Sequence, residues 1–376
     1  MANTLPANIG DAEKAAEIVG RELVGFIPAM QINSGSEAVA LNSSVKSLTT
    51  EEPTLNTSVA PSMTIPEGDD QTIGEKSVTI SQVANVQMNY TGEEQRELNT
   101  NYDFETVNGH RYLRAFRKIV NQIEAHCGAT LKNGASRAVG TAGTTPFASD
   151  QSAINAARRI LVDNGMFEAG NTSLVIDTAA GENFRNLYNL NEMGAASEVR
   201  SGALMSISQI DIRESAGVAS HTKGTGTSYQ TSSAEALKST TINADTGSGT
   251  VVAGDVITFA DDSNNKYVVN SDLSGGSFTI GDPGVRSAIA DNNAITVGND
   301  YTANVLLNRA AAELVVRPLD APAEDAATSV FSVQDSISGI TFEVRIYGGF
   351  HKAMISVTLV YQAKVWETSG VALLLG

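Results

Sequence analysis

The residues that could most readily support catalysis or bind a metal ion are four histidines and one cysteine. The histidines are scattered along the chain at His110, His126, His221 and His351. None of them forms, with an acidic residue, the i, i+4 pair that a helical zinc site requires. Cys127 has no C-x-x-C partner and lies on a predicted apolar helix face, whereas a reactive thiol needs an electropositive, partly exposed setting. The sequence therefore predicts no metal, no cofactor and no catalytic residue, and a buried structural role for the thiol.

Two other patterns could bind a ligand, but each lacks a required part. The segment from Ser173 to Phe184 runs from a strand through Ala179-Ala180-Gly181 into a helix, as a nucleotide-binding turn does. One glycine cannot give the close backbone approach to a phosphate that the three-glycine fingerprint gives. The segment Asp261-Asp262-Ser263-Asn264-Asn265 has oxygen ligands at alternate positions, but Lys266 stands where a calcium-binding loop has glycine. We interpret the second segment as a hairpin turn, and the chain is not predicted to be an enzyme.

Length and charge exclude further classes of protein. The chain has 376 residues, which is enough for two or three domains with a large core. Its formal net charge of −17 argues against passive adhesion to nucleic acid or to an anionic membrane. No apolar run approaches the roughly 18 residues that span a bilayer. Asp11, Glu13 and Glu17 stand where a secretion signal would be basic, so we expect a soluble protein with no membrane partner.

The element best suited to position a surface site is a long helix, predicted from Phe104 to about Leu131. An apolar stripe recurs along it at three- and four-residue steps, which is the helical period. The stripe consists of Leu113, Phe116, Val120, Ile123, Cys127 and Leu131. The other face carries the basic residues Arg111, Arg114, Arg117 and Lys118, and Glu124 is the only acidic residue nearby. This is the sharpest charge asymmetry in the sequence.

The basic face allows three interpretations. It is a solvated surface, a nucleic-acid contact, or a contact with the acidic arm of a neighbouring subunit. Nucleic acid is disfavoured because the surrounding chain is acidic and Tyr112 is the only interleaved aromatic residue. Opposite potentials on two surfaces of one chain favour head-to-tail contacts between copies, which we prefer as the functional interpretation. The predicted subunit-contact residues are Glu51, Glu52, Glu67, Asp69, Asp70, Arg111, Arg114 and Lys118.

The segments before the long helix are small or polar. Periodicity predicts a small amphipathic helix from Asp11 to Phe26. The stretch from Asn33 to Asp70 is rich in Ser, Thr, Asn and Pro and cannot supply a core of its own. A strand pattern follows from Val78 to Met88. The segments on either side of Gly68-Asp69-Asp70 are therefore predicted to form a long acidic hairpin or extended loop.

After the long helix, one α/β unit is interrupted by a strand-rich module. The first half has a helix from Asp150 to Leu161, a strand at Ser173 to Ile176, a helix at Gly181 to Leu190 and a strand at Ile207 to Ile212. The module, from about Thr222 to Asp300, has short strands with strong turn signals, which predict a small barrel or sandwich. The predicted strands are Val251-Val252, Val256 to Phe259, Tyr267 to Val269, Phe278 to Ile280 and Ile295 to Val297. A short helix at Asn304 to Leu314 and alternating strands through Ile340 to Ile346 and Ile355 to Tyr361 follow.

This order of elements resembles the major capsid proteins of tailed phages with the Hong Kong 97-like fold, in particular the coat proteins of short-tailed phages with an inserted β-barrel. Three stretches carry the resemblance. The first is Val251-Val252-Ala253-Gly254-Asp255-Val256-Ile257-Thr258-Phe259-Ala260, which resembles the opening of the barrel. The second, from Asn304 to Leu319, resembles the return to the central domain, and the third, from Val357 to Leu374, resembles the closing strands. A departure is Thr368-Ser369-Gly370, where the family often has a Pro-containing turn.

The resemblance implies an α+β fold with six segments. They are an N-terminal arm (1–44), an extended loop (45–84), a peripheral domain (85–140) with a spine helix (104–132), the first half of the axial domain (141–221), an inserted β-barrel (222–303), and the second half of the axial domain with the closing strands (304–376). By the same resemblance, the loop at about Leu48 to Ser77 lies across an adjacent subunit, and the arm shifts during maturation.

The resemblance also implies a function. It implies a major capsid protein that self-assembles into pentamers and hexamers of an icosahedral shell in the host cytoplasm and remains in the virion. Its expected partners are copies of itself, a scaffolding protein and a portal, and it encloses double-stranded DNA without sequence-specific binding. Two alternatives remain: another phage or surface structural β-protein, such as an adhesin or tail component, and an α/β ligand-binding enzyme with a polar cleft near Asp177 to Asn186.

Overall fold

The computed structural model describes residues 22–35, 37–50, 61, 63–65, 68, 70, 73–101, 104–187, 206–322, 325–335 and 338–376. These residues form five α-helices, two short 3-10 turns and twenty strands. The helices are α1 (Phe26–Ala29), α2 (Gly92–Asn101), α3 (Phe104–Asn133), α4 (Ser152–Asp163) and α5 (Thr178–Asn186).

The long helix is present as α3, and it packs on a six-stranded sheet. The strands of this sheet, in spatial order, are β1 (Gln31–Ser34), β16 (Ala312–Arg317), β19 (Lys352–Val365), β18 (Thr341–Gly348) and β17 (Ala327–Gln334), and β4 (Gln82–Thr91) also pairs with β19. All six residues of the predicted apolar stripe are buried, none more than 3% exposed. Phe116 stacks on Phe342 of β18 with 4.8 Å between ring centroids. The helical period thus matches burial from Leu113 to Leu131.

A larger, twelve-stranded sheet contains the α/β unit. Its α/β part comprises β5 (Arg137–Gly140), β20 (Val371–Leu375), β15 (Tyr301–Asn308), β6 (Thr172–Ile176), β7 (Asp211–Glu214) and β8 (Ser220–His221), which pairs with β15. Every residue of β6 and β20 is buried. A second apolar cluster lies here, and it includes Ile154, Leu161 and Phe184 from α4 and α5.

The inserted module continues the same sheet but has its own core. Its strands are β9 (Tyr229–Thr231), β10 (Thr241–Asp245), β11 (Val256–Phe259), β12 (Asp262–Val268), β13 (Ser277–Thr279) and β14 (Ala294–Val297), in the order β13-β10-β9-β14-β11-β12. Ile257, Phe259 and Phe278 are among the buried residues of its separate cluster. One bridge, Val269 to Ile280, joins the two ends of this order. Closure of these strands into a barrel depends on that one bridge, and the barrel stays a prediction.

The extended hairpin consists of β2 (Ser44–Thr50) and β3 (Ile73–Thr79), in register from Ser44 opposite Thr79 to Thr50 opposite Ile73. These strands pair with no other strand of the described chain. At the base of the hairpin, Val78 and Ile80 pack on Val315 and Val360 of the six-stranded sheet. Within the described residues, the hairpin is therefore anchored to the six-stranded sheet at its base.

The predicted short helix at Asn304 to Leu314 is wrong. The segment forms the end of β15, a 3-10 turn (Arg309–Ala311) and the start of β16. β15 pairs with β20 and β6, and nearly all its residues are buried. A strand buried on both faces reads as a continuous apolar run, which periodicity alone cannot distinguish from a buried helix.

Smaller differences concern turns. Val251-Val252 is not a strand but precedes a turn closed by the Asp255 N–H donating to the Val252 carbonyl (3.0 Å). Ile207 pairs with Ile210 in a tight turn, and β7 begins only at Asp211. The predicted helix from Asp11 to Phe26 lies largely outside the described residues, and residues 22–25 are not helical. Within the described chain, no helix is long and apolar enough to cross a membrane.

Candidate subunit-contact surfaces and the junction that positions them

The basic face of α3 divides into paired and unpaired residues. Arg114 and Lys118 are exposed and Arg111 is half-buried, and none of the three has an ion-pair partner among the described residues. Arg117 is different, because its guanidinium donates two hydrogen bonds to the carboxylate of Glu22. These hydrogen bonds lower the pKa of Glu22 to about 2. Arg117 therefore anchors the chain before α1 rather than offering a free cation.

Of the five predicted acidic partners, the structure describes Asp70 alone. Glu51, Glu52, Glu67 and Asp69 lie outside the described residues, and Asp70 is exposed. The pairing between the basic face and the acidic loop stays a prediction.

Exposed apolar side chains are further candidates for contact surfaces, and the sequence analysis missed them. Met63, Ile65 and Ile73 belong to the hairpin and its connection, and all three are strongly exposed. Phe350, in the turn between β18 and β19, is 93% exposed. Exposed apolar groups on a projecting element are typical of surfaces that another protein covers.

Glu124 is buried and does not belong to the basic face. It is 2% exposed, and its carboxylate accepts hydrogen bonds from the backbone N–H groups of Gly25 (2.6 Å), Phe26 (2.6 Å) and Ile27 (3.0 Å). The hydroxyl of Ser215, after β7, donates a fourth at 2.6 Å. Since α1 has no cap from its own N-cap residue, Glu124 supplies the cap from α3.

A second polar junction joins the end of α3 to the inserted module. Lys132 Nζ lies 2.9 Å from Nδ1 of His221, and Nε2 of His221 lies 2.8 Å from Oδ1 of Asp255. A neutral imidazole with its proton on Nε2 satisfies both contacts. Asp255 is fully buried and also accepts the backbone N–H of Gly224 (3.0 Å) and of Val252 (2.9 Å). Burial lowers the pKa of Lys132, and the charge of Asp255 opposes that shift.

Gly254 explains how its backbone can approach Lys132, Asn133 and His221 so closely. Its φ angle is +95°, in the region that favours glycine. A Cβ atom there would lie 2.9 Å from Asn133 Oδ1 and 3.0 Å from both His221 Cε1 and Lys132 Cε. The Gly254-Asp255 pair therefore has a physical role: glycine allows the approach, and aspartate makes the contacts. The pair was visible in the sequence, but its partners were not, because they come from two distant segments.

The other sequence candidates have structural roles. Cys127 is fully buried, and burial followed by the charge of Glu124 raises the pKa of its thiol. Asp177 caps α5 by accepting the backbone N–H of Ala180 (3.0 Å), and a Cβ at Gly181 would meet Glu214 Oε1 at 1.8 Å. Two carboxylates thus occupy the turn that resembled a phosphate site. Across the described residues, no group of three or more His, Cys, Asp or Glu could hold a metal ion.

Known structures share this fold, although no family model and no curated protein matches the sequence. A solved structure from Mycobacterium phage Che8 aligns over 95% of this chain and 92% of its own, with a TM-score of 0.50 and 12% identity. The capsid structure of the Cyanophage P-SCSP1u aligns over 95% of this chain and 89% of its own, with a TM-score of 0.51 and 9% identity. The chain is therefore similar in fold to a phage capsid structure, and the predicted phage capsid fold is confirmed. The inserted barrel is not part of that confirmation.

Proposed function

We propose that this chain is the major capsid protein of a tailed double-stranded DNA phage. The observation that carries the proposal is the fold similarity to the Cyanophage P-SCSP1u capsid, which extends over 95% of the chain. A similarity over 95% of the chain does not rest on one common motif. At 9% identity the similarity concerns the fold, and the function is our inference from it.

In this proposal the chain forms pentamers and hexamers of an icosahedral shell that matures by domain movement. The hairpin is a physical argument for contacts between copies. An isolated two-stranded sheet is at best marginally stable in water, and it gains stability from a surface that covers it. The exposed Met63 and Ile65 would be covered in the same contact. A scaffolding protein and a portal are further proposed partners, and the virion is the proposed location. The acidic chain would enclose DNA without adhering to it.

The test is negative-stain electron microscopy of the purified chain, expressed alone and with scaffolding proteins encoded beside it. We expect closed shells or curved sheets of six-fold units. A uniformly dispersed monomer under all of these conditions would contradict the proposal. A stable trimer in solution would instead favour an adhesin or tail component, which was the first alternative from the sequence.

A further inference from the structure

A basic cavity of about 240 Å³ lies where α4 meets β5 and β12. Three cationic side chains from three elements line it: Arg137 begins β5, Arg159 lies on α4, and Lys266 lies on β12. The acidic Asp163 and the amide side chains of Asn264 and Asn265 are also in the lining. Such a concentration of positive charge is unusual in a chain whose net charge is −17.

Arg137 is the deepest of the three cations and is incompletely paired. Its side chain is 7% exposed, and its guanidinium donates to neutral acceptors, Asn164 Oδ1 at 3.0 Å and Asn265 Oδ1 at 3.3 Å. The nearest carboxylate oxygen, on Asp163, is 3.9 Å from Nη2, beyond hydrogen-bond distance. Its Nε–H is buried and has no acceptor. The lining therefore holds three cations against one carboxylate, and a buried cation with incomplete compensation is energetically unfavourable.

Neighbouring positive charges further disfavour the charged form of Arg137. Burial lowers the pKa of Arg137, and the positive charges of Arg286 and Arg159 lower it further, against the opposing effect of Asp163. Asp163 is itself shared, since Arg159 Nε lies 3.6 Å from the same oxygen. Asp262 does not compensate, because its carboxylate accepts hydrogen bonds from Tyr267 and Asn265.

We propose that this cavity binds a phosphate group, either as inorganic phosphate or as part of a small phosphomonoester. Guanidinium groups present several donors in a fixed plane, which suits an oxyanion that accepts hydrogen bonds from several directions. A phosphate between Arg137, Arg159 and Lys266 supplies the missing negative charge and an acceptor for the free N–H. This inference does not depend on the capsid proposal.

The experiment measures the thermal unfolding midpoint of the full chain during titration with potassium phosphate, with potassium chloride keeping the ionic strength constant. Adenosine monophosphate is the phosphomonoester probe, and adenosine is its control. The informative variants are Arg159→Gln, whose side chain is 82% exposed, and Lys266→Gln. Arg309→Gln is the matched control, because it removes an exposed positive charge outside the cavity lining.

We expect a saturable rise in the midpoint with phosphate, and apparent binding about tenfold weaker in Arg159→Gln and Lys266→Gln. Arg309→Gln should bind as the original chain does. A response to adenosine monophosphate but not to adenosine identifies a phosphomonoester as a ligand, and a response to phosphate alone identifies the free ion. No saturable response to either probe, or an equal loss in Arg309→Gln, would overturn the proposal.

Discussion

The carboxylate of Glu124 illustrates how much one buried side chain can organise. It has no ion-pair partner among the described residues, and four hydrogen-bond donors replace the water that it has lost. Those donors come from the N-terminal end of α1 with the residue before it and from the residue after β7, while Glu124 itself lies on α3. One residue therefore fixes three separate parts of the chain relative to one another.

Glu124→Gln should lower the free energy of unfolding by about 3 kcal/mol, because the amide turns a donor toward N–H groups that then lack an acceptor. Denaturant unfolding of the unassembled chain measures this. Glu182→Gln, at an exposed position on α5, is the matched control and should change stability by less than about 0.5 kcal/mol. Equal stabilities of the two variants would contradict the role of Glu124 as a cap.

The contact between Glu22 and Arg117 predicts that the stability of the folded chain depends on pH. The pKa of Glu22 is lowered from 4.5 to about 2 in the folded chain, chiefly by its hydrogen bonds with Arg117. A lowered folded-state pKa gives stability that is present above pH 4.5 and is lost as the pH falls toward 2. The urea midpoint of the original chain should fall more steeply over this interval than that of Glu22→Gln. Parallel pH profiles would show that the contact does not form in solution.

At the scale of elements, the Lys132, His221 and Asp255 contacts attach the inserted module to the end of α3. Asp255→Asn should lower the free energy of unfolding by about 3 kcal/mol, since removing one partner leaves buried groups uncompensated. Hydrogen exchange should accelerate first in β11 and β12, and the centre of α3 should stay protected. Asp272→Asn is the control, because Asp272 is exposed and accepts only the backbone N–H of Ala253. Equal exchange in the two variants would contradict this attachment.

The sequence predicted some elements well for physical reasons. The stripe on α3 and the alternation in β18 each have one buried and one more accessible side, and that contrast is what periodicity detects. β15 has no exposed face, so its pattern was mistaken for a helix. The junctions at Glu124 and at Asp255 join residues roughly 30 to 100 positions apart, and no local pattern reveals such contacts. The subunit-contact role of Arg111, Arg114 and Lys118 on α3 stays a prediction, and the pairing of Arg117 with Glu22 became visible only in the structure.

At the scale of the whole molecule, Arg111, Arg114 and Lys118, which have no ion-pair partner among the described residues, bear on the proposed assembly. Arg114→Glu should reduce particle yield if this face meets the acidic loop of a neighbouring copy. The reduction should be larger at low salt, because salt weakens the attraction between exposed charges. At 0.1 M salt this attraction decays over a screening length of about 10 Å. Electron microscopy and sedimentation would measure the yield, and Arg309→Glu provides the matched charge reversal. Unchanged yield and stability at both salt concentrations would disprove the pairing.

The position of β20 has a consequence for when the molecule can fold during synthesis. This strand lies between β5 and β15 and is parallel to β5, and Ser136 beside β5 donates to the carbonyl of Val371, 235 residues later. The ribosome must therefore make the chain as far as β20 before the centre of the large sheet can close. Contacts so distant in sequence also slow folding. A nascent chain that stops before Val371 would lack a central strand, and an interrupted product would be left with an open sheet edge.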